Sequence, residues 1–133
     1  MESDPFHLPL LSYMTAFVER DPARRLAPLA ESMSPTAEIH GPKRVFIGYA
    51  EISEKIAGFQ SNWPECRLVL AADLITFKNA CHFPMAIVGP EGGVGATGHS
   101  VVELAADGRI QRVLAFWGKH PPLSESWPAQ FSV

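Results

Sequence analysis

The chain is predicted to fold as an α+β domain in which three helices precede a mainly antiparallel sheet. Two observations carry that expectation. Up to residue 63 the apolar residues recur at spacings of three and four, the period of a helix with one buried face. From residue 66 onward, runs rich in Val, Ile, Leu, Phe and Thr alternate with short turn signals. Connections that short close antiparallel hairpins rather than crossovers.

The first helix is expected over residues 9–20, with Leu10, Tyr13, Met14, Phe17 and Val18 on one stripe. Asp21-Pro22 then supplies an N-cap carboxylate and a proline whose missing N–H costs nothing at the first helical position. The second helix turns Leu26, Leu29 and Met33 inward, is bent at Pro28 and ends before Pro35. Two short strands, residues 37–40 and 44–47, read as sheet edges on either side of Gly41-Pro42. Helix three follows between Tyr49 and Trp63, where Ile52, Ile56, Phe59 and Trp63 fall on one face and Pro64 closes the segment.

Four strands are expected after that, at residues 66–77, 80–88, 95–105 and 109–117. They are separated by Lys78-Asn79, by the glycine-rich stretch 89–93 and by Asp107-Gly108. Gly89, Gly92, Gly93 and Gly95 form no Gly-x-Gly-x-x-Gly leading into a helix, so they are hairpin glycines rather than a phosphate loop. Helices covering one sheet face leave room between the layers for a small-molecule pocket. The tail, residues 119–133, opens with His120-Pro121-Pro122, which cannot continue a ladder, and its large anchors are Trp127 and Phe131.

At 133 residues the chain fits one domain, 1–133, with 47% hydrophobic and 19% charged residues in the ordinary globular range. The net charge of −3 and the scattered basic residues leave no footprint for a phosphate backbone, so nucleic acid is not expected as a partner. No apolar run approaches the roughly 20 residues that span a bilayer. The acidic start lacks the positive region of a signal peptide, so a cytoplasmic location without membrane contact is expected. Cys66 and Cys81 are read as reduced core residues. No His-x-x-x-His or similar cluster suggests a metal.

Several side chains carry chemistry and admit a plain reading beside it. Tyr13 is either a core aromatic on the helix stripe or a hydroxyl donor. His40, at a strand end, is either solvated or a pocket base. Ser100 alternates with Val102 and Leu104, which puts its hydroxyl on the inner face, whereas His99 and His82 face outward by the same rule. Asp73, inside a strand pattern, reads as an edge carboxylate, and His7 and His120 read as solvent-facing. Phe17, Phe59, Trp63, Phe83, Met85, Val102, Phe116 and Trp117 are core residues that would also suit the walls of a pocket for a flat apolar ligand.

An ordered set of segments resembles the nuclear-transport-factor-2-like (NTF2-like) superfamily, in its ketosteroid-isomerase and SnoaL-like polyketide cyclase branch. The carriers are Tyr13-Met14-Thr15-Ala16-Phe17, Asp21-Pro22, Ala37-Glu38-Ile39-His40-Gly41-Pro42, Gly48, and the last hairpin from Gly98 through Glu103-Leu104-Ala105-Ala106-Asp107-Gly108-Arg109-Ile110 to Phe116-Trp117-Gly118. The resemblance implies a cone-shaped, cystatin-like fold that needs neither metal nor organic cofactor. In ketosteroid isomerase a tyrosine and a protonated aspartic acid hydrogen-bond the oxyanion while another aspartate moves the proton. Matched segment by segment, Tyr13 stands at the tyrosine, His40 at the proton-moving aspartate and Ser100 at the protonated acid. Two of the three thus depart from the pattern.

What the resemblance implies is a protein that binds a small hydrophobic carbonyl compound, steroid-, polyketide- or terpenoid-like. His40 would act as acid/base, Tyr13 as oxyanion donor and Ser100 as auxiliary hydrogen-bonder in proton transfer or isomerisation. The alternatives are a non-catalytic ligand-binding or dimerisation module of the same fold, and a dehydratase or cyclase. The resemblance also implies a homodimer through the outer sheet face, with Val101 and Val113 directed outward.

Overall fold

A computed structural model describes residues 4–131 and 133. Helix α1 (His7–Val18) is preceded by Asp4, whose carboxylate accepts from the Phe6 amide at 2.8 Å. Leu10, Tyr13 and Phe17 are buried as expected, but Val18, the last residue of the helix, is exposed. Helix α2 (Pro22–Ser32) begins on the expected cap, with the Asp21 carboxylate accepting from the Ala23 amide at 3.0 Å. Leu29 is fully buried, whereas Leu26 is exposed. Its place on the core-facing side is taken by Arg25, one residue earlier and 1% exposed.

Arg25 ties the helices together. Its guanidinium donates to the Glu19 carbonyl (3.0 Å), to the Ser53 carbonyl and hydroxyl (3.0 and 2.9 Å) and to the Gln60 amide oxygen (3.0 Å). The Gln60 side chain in turn donates to the Phe17 and Glu19 carbonyls at 2.9 and 3.0 Å. The carbonyls left over at the C-terminal end of α1 are thereby satisfied by side chains of the other two helices.

Strand β1 (Met33–His40) starts directly after α2 and runs through Pro35, so it is longer than the pattern at 37–40 suggested. It is followed by β2 (Val45–Ile47) and helix α3 (Gly48–Asn62), whose Ile52 and Ile56 are fully buried. Gly48 has φ +80°, the left-handed region that glycine enters without a Cβ penalty. The stretch expected as one strand at 66–77 divides into β3 (Arg67–Leu70) and β4 (Ile75–Phe77), with Asp73 in the break. There the Asp73 carboxylate accepts from the Leu74 amide at 2.7 Å. Both short strands pair antiparallel with β5 (Ala80–Val88), one behind the other along the same edge.

Hairpins then join β5 to β6 (Val94–Leu104) and β6 to β7 (Ile110–Trp117). Gly92 (φ +87°) and Gly108 (φ +89°) supply the left-handed turn positions. The sheet order is β2-β1-β7-β6-β5-β3. All pairs are antiparallel except β1 with β7, which is parallel. Strand β1 is therefore interior rather than an edge, as the last strand of the chain returns to lie beside it.

Inner and outer sheet faces follow from this register. Ser100, Val102, Leu104, Phe83, Met85 and Ile87 are buried on the helix-covered face, as alternation predicted. Val113 is the exception: it is 2% exposed and points inward, opposite Val102. A β-bulge between Glu103 and Leu104 pairs Leu104 with Ile110 and Glu103 with Arg112, leaving one extra residue on β7, so Ile110 and Val113 share a face despite their odd spacing. Both cysteines are free; Cys81 is buried, but Cys66 is only half-buried beside the Gly89 turn. No described helix is long and apolar enough to cross a membrane.

Candidate ligand pocket

Between α1, α3 and the inner face of β5, β6 and β7 lies a narrow cavity of about 30 Å³. Its polar lining consists of Tyr13, Lys55 and Ser100, and the remainder is aliphatic, thioether or aromatic. It adjoins an open groove of about 540 Å³ between α3 and the 41–44 turn. Lys55, Phe59 and Trp117 line both, so these three side chains form the wall that the groove and the cavity share.

Tyr13 is placed by α1 with its ring edge-on to Phe17 at 5.0 Å, and Phe17 is edge-on to Phe59 at 5.5 Å. Its hydroxyl has no hydrogen-bond partner among the described residues, although the side chain is only 5% exposed. Burial pushes its pKa well above the usual tyrosine value, so it stays a proton-bearing donor. Ser100 reaches the same cavity from β6 and donates to the Met85 sulfur at 2.9 Å, a weak acceptor that leaves the hydroxyl easy to recruit.

His40 does not join them. Ile39, its neighbour on β1, lines the cavity, and strand alternation sends His40 to the opposite face. There its Nε2 lies 2.7 Å from the Glu38 carboxylate. The expected acid/base position is thus separated from Tyr13 and Ser100 by the thickness of the sheet. The match to a family position fixed its strand but not the register of its side chain.

The expected wall residues divide in the same way. Phe17, Phe59, Met85 and Trp117 line the cavity. Phe83 and Val102 face inward but are packed into the core, and Trp63 lines a separate surface recess with Arg20 and Gln60. Phe116 pairs with His99 and points outward, 60% exposed, so it belongs to the outer face. Trp117 can lie over the inner face because its partner in the register is Gly98. A methyl group there would collide with the Phe116 carbonyl oxygen and crowd the Trp117 ring.

Lys55 escaped the sequence analysis. Read as a helix pattern, it is one more charged residue between Ile52 and Ile56, and only the placement of the 41–44 turn across from α3 shows that it faces a groove. Its ammonium lies 5.6 Å from the centre of the Phe46 ring, on which the Arg44 guanidinium also sits at 4.2 Å. Arg44 is paired with Glu51 at 3.2 Å, while Lys55 has no ion-pair partner among the described residues. Desolvation lowers the Lys55 pKa from its ordinary value.

Elsewhere on the molecule, His82 and His99 stack at 5.3 Å on the outer face and His120 meets His99 edge-on at 5.8 Å. Among the described residues no three His, Cys, Asp or Glu side chains are arranged to hold a metal ion. A further notch of about 250 Å³ lies between α1 and the β3–β4 break, lined mainly by leucines with Asp4, His7 and Asp73, apart from Tyr13 and Ser100.

No family model matches the chain, and no curated protein matches it by sequence. Solved structures do. A proposed isomerase of the SnoaL-like family from Agrobacterium tumefaciens strain C58 is similar with a TM-score of 0.77 and 25% identity, over 86% of this chain and 98% of that one. An NTF2-like protein of unknown function from Exiguobacterium sp. 255-15 is similar at TM-score 0.66 and 14% identity, over 84% and 99%. A proposed SnoaL-like polyketide cyclase from Jannaschia sp. CCS1 follows at 0.64 and 14%, over 88% and 90%. The architecture is the NTF2-like, cystatin-like α+β fold, and its neighbours include SnoaL-like proteins.

Proposed function

From an NTF2-like fold with SnoaL-like neighbours, we propose that the groove holds a small, largely apolar carbonyl compound of the steroid, polyketide or terpenoid kind and promotes proton transfer beside its carbonyl. The supporting observation is the Tyr13 hydroxyl, which has no hydrogen-bond partner among the described residues and lines a cavity whose other polar groups are Lys55 and Ser100. A donor aimed at an oxygen that becomes negative is worth more in such surroundings than in water. At about 540 Å³ the groove is large enough for a ligand of that class, while the cavity behind it admits only the ligand's tip. Lys55 and Ser100 are the other polar groups within reach of that tip.

A second reading, a ligand-binding module without catalysis, is favoured by the absence of any carboxylate or imidazole among the residues lining the cavity. One experiment separates the two. A bicyclic ketone is titrated against intrinsic fluorescence, to which Trp117 contributes, and deuterium uptake at the carbons beside its carbonyl is followed by NMR. Saturable quenching with uptake faster than in buffer supports catalysis. Quenching without uptake establishes the module, and no quenching removes both.

We also propose that the outer sheet face is where two copies associate. Ile75, Phe77 and Phe116 are each more than half exposed on it, Val101 and Leu114 lie between them, and unburied apolar surface of this kind favours a partner.

A further inference from the structure

We propose that Lys55 is a nucleophile whose Nζ condenses with the carbonyl carbon of an aldehyde or ketone held in the groove, forming an imine. The inference rests on the reading of the groove as a site for carbonyl compounds and assigns to it a covalent step. Three observations converge on this residue.

The first is place. Lys55 lines both the groove and the inner cavity, so a ligand held in either one meets its side chain. The second is solitude. Arg44, which shares the Phe46 ring with it, is neutralised by Glu51 at 3.2 Å, and Glu54, next to it on α3, lines the groove without pairing with it. Among the described residues Lys55 holds no carboxylate, and its ammonium lies 5.6 Å from the centre of the Phe46 ring. The third is desolvation, which disfavours the ammonium and leaves more of the amine in the free form that attacks carbonyls.

Atoms and charge balance through the step. The neutral amine donates its lone pair to the carbonyl carbon, the C–N bond forms, and the oxygen takes a proton to give a carbinolamine. The nitrogen gives its extra proton back to solvent, a further proton from solvent lets the oxygen leave as water, the C–O bond breaks, and an iminium ion is left. Its positive charge acidifies the neighbouring C–H bonds, the outcome that the proposed proton transfer requires. The hydroxyls of Tyr13 and Ser100, which line the same cavity, are donors available to the oxygen as it develops charge.

The chain supplies its own controls: Lys78 and Lys119 are exposed outside the groove, Lys78 also over a phenyl ring, Phe77, at 5.3 Å, while Lys43 lines the groove but is exposed. The full chain is incubated near neutral pH with cinnamaldehyde and sodium cyanoborohydride, whose hydride reduces an iminium carbon to a stable secondary amine. Digestion and mass spectrometry then locate the adduct, a gain of the probe's mass less one oxygen. The expected result is labelling of Lys55 several-fold above each of the other three lysines, and its loss at that position in Lys55→Arg. Saturable quenching by the probe with Lys55 unmodified, or labelled no more than the other three, overturns the covalent step and leaves the pocket standing. No quenching and no preference for Lys55 overturns the pocket and the covalent step together.

Discussion

Replacing Tyr13 by Phe removes one oxygen and leaves the ring that packs on Phe17 at 5.0 Å. In a core tyrosine whose hydroxyl is hydrogen-bonded to the protein, that change is destabilising. Here the hydroxyl makes no hydrogen bond among the described residues but is not sealed from solvent, so only part of the roughly 1–3 kcal/mol cost of an unmade buried bond applies. A cavity of about 30 Å³ is large enough for one water, which would recover part of that cost. The expectation is therefore at the low end: Tyr13→Phe stabilises the chain by about 1 kcal/mol. With a urea m value of about 2 kcal/mol/M, the unfolding midpoint rises by about 0.5 M. Affinity for a carbonyl ligand should fall by about five- to tenfold, the worth of one hydrogen bond to its oxygen. Equilibrium urea unfolding and fluorescence titration of the same two proteins measure both quantities. A loss of 1 kcal/mol or more in the variant would refute the reasoning, since it would mean that the hydroxyl is already engaged in holding the fold.

Burial, helped by the Asp4 charge and opposed by a backbone hydrogen bond from Val102, pushes the Cys81 thiol from 9.0 up to about 11. The unfolded thiol then ionises first and binds fewer protons, so stability is full below pH 9 and declines as the pH rises toward 11, by on the order of 2 kcal/mol for this group. Urea midpoints measured between pH 8 and pH 10 should fall less steeply in Cys81→Ala than in the natural chain; parallel slopes would dismiss the thiol as the cause. Phe116→Asp places a charge on the outer face and should convert a dimer to monomers in sedimentation equilibrium, whereas a natural chain that is already monomeric at micromolar concentration ends the dimer proposal.

Most of the architecture could be read from local patterns. The cap at Asp21-Pro22, the buried pair Ile52 and Ile56, and the inner-face set Ser100, Val102 and Leu104 each rest on a period or a turn chemistry that tertiary context did not override. What failed was whatever depends on partners distant in sequence. Strand β1 looked like an edge because the strand that covers it lies more than 70 residues away. The facing of Val113 was lost to a bulge that no periodic rule registers. Tyr13 and Ser100 both line the cavity because each lies on an apolar stripe that points inward. His40 was misplaced because a segment match carries no side-chain direction, and Lys55 went unnoticed because a lysine on an amphipathic helix looks like solvated surface until the 41–44 turn is placed opposite it.

The parallel pairing of β1 with β7 also bears on how the protein is made. While the ribosome is still adding the C-terminal hairpin, β1 is paired only with the three-residue β2, and β6 has only β5 beside it. Two open strand edges with apolar inner faces wait for one late segment, residues 110–117, to fill the gap between them. Nascent or prematurely terminated chains that stop short of it expose templates for pairing with other chains, so synthesis rate and chaperone access matter most in that interval. Closure by the final strand also makes the sheet interior a product of the whole length. A chain cut after the β5–β6 hairpin would lose not only β7 but the Val113, Ala115 and Trp117 side chains that line the inner cavity.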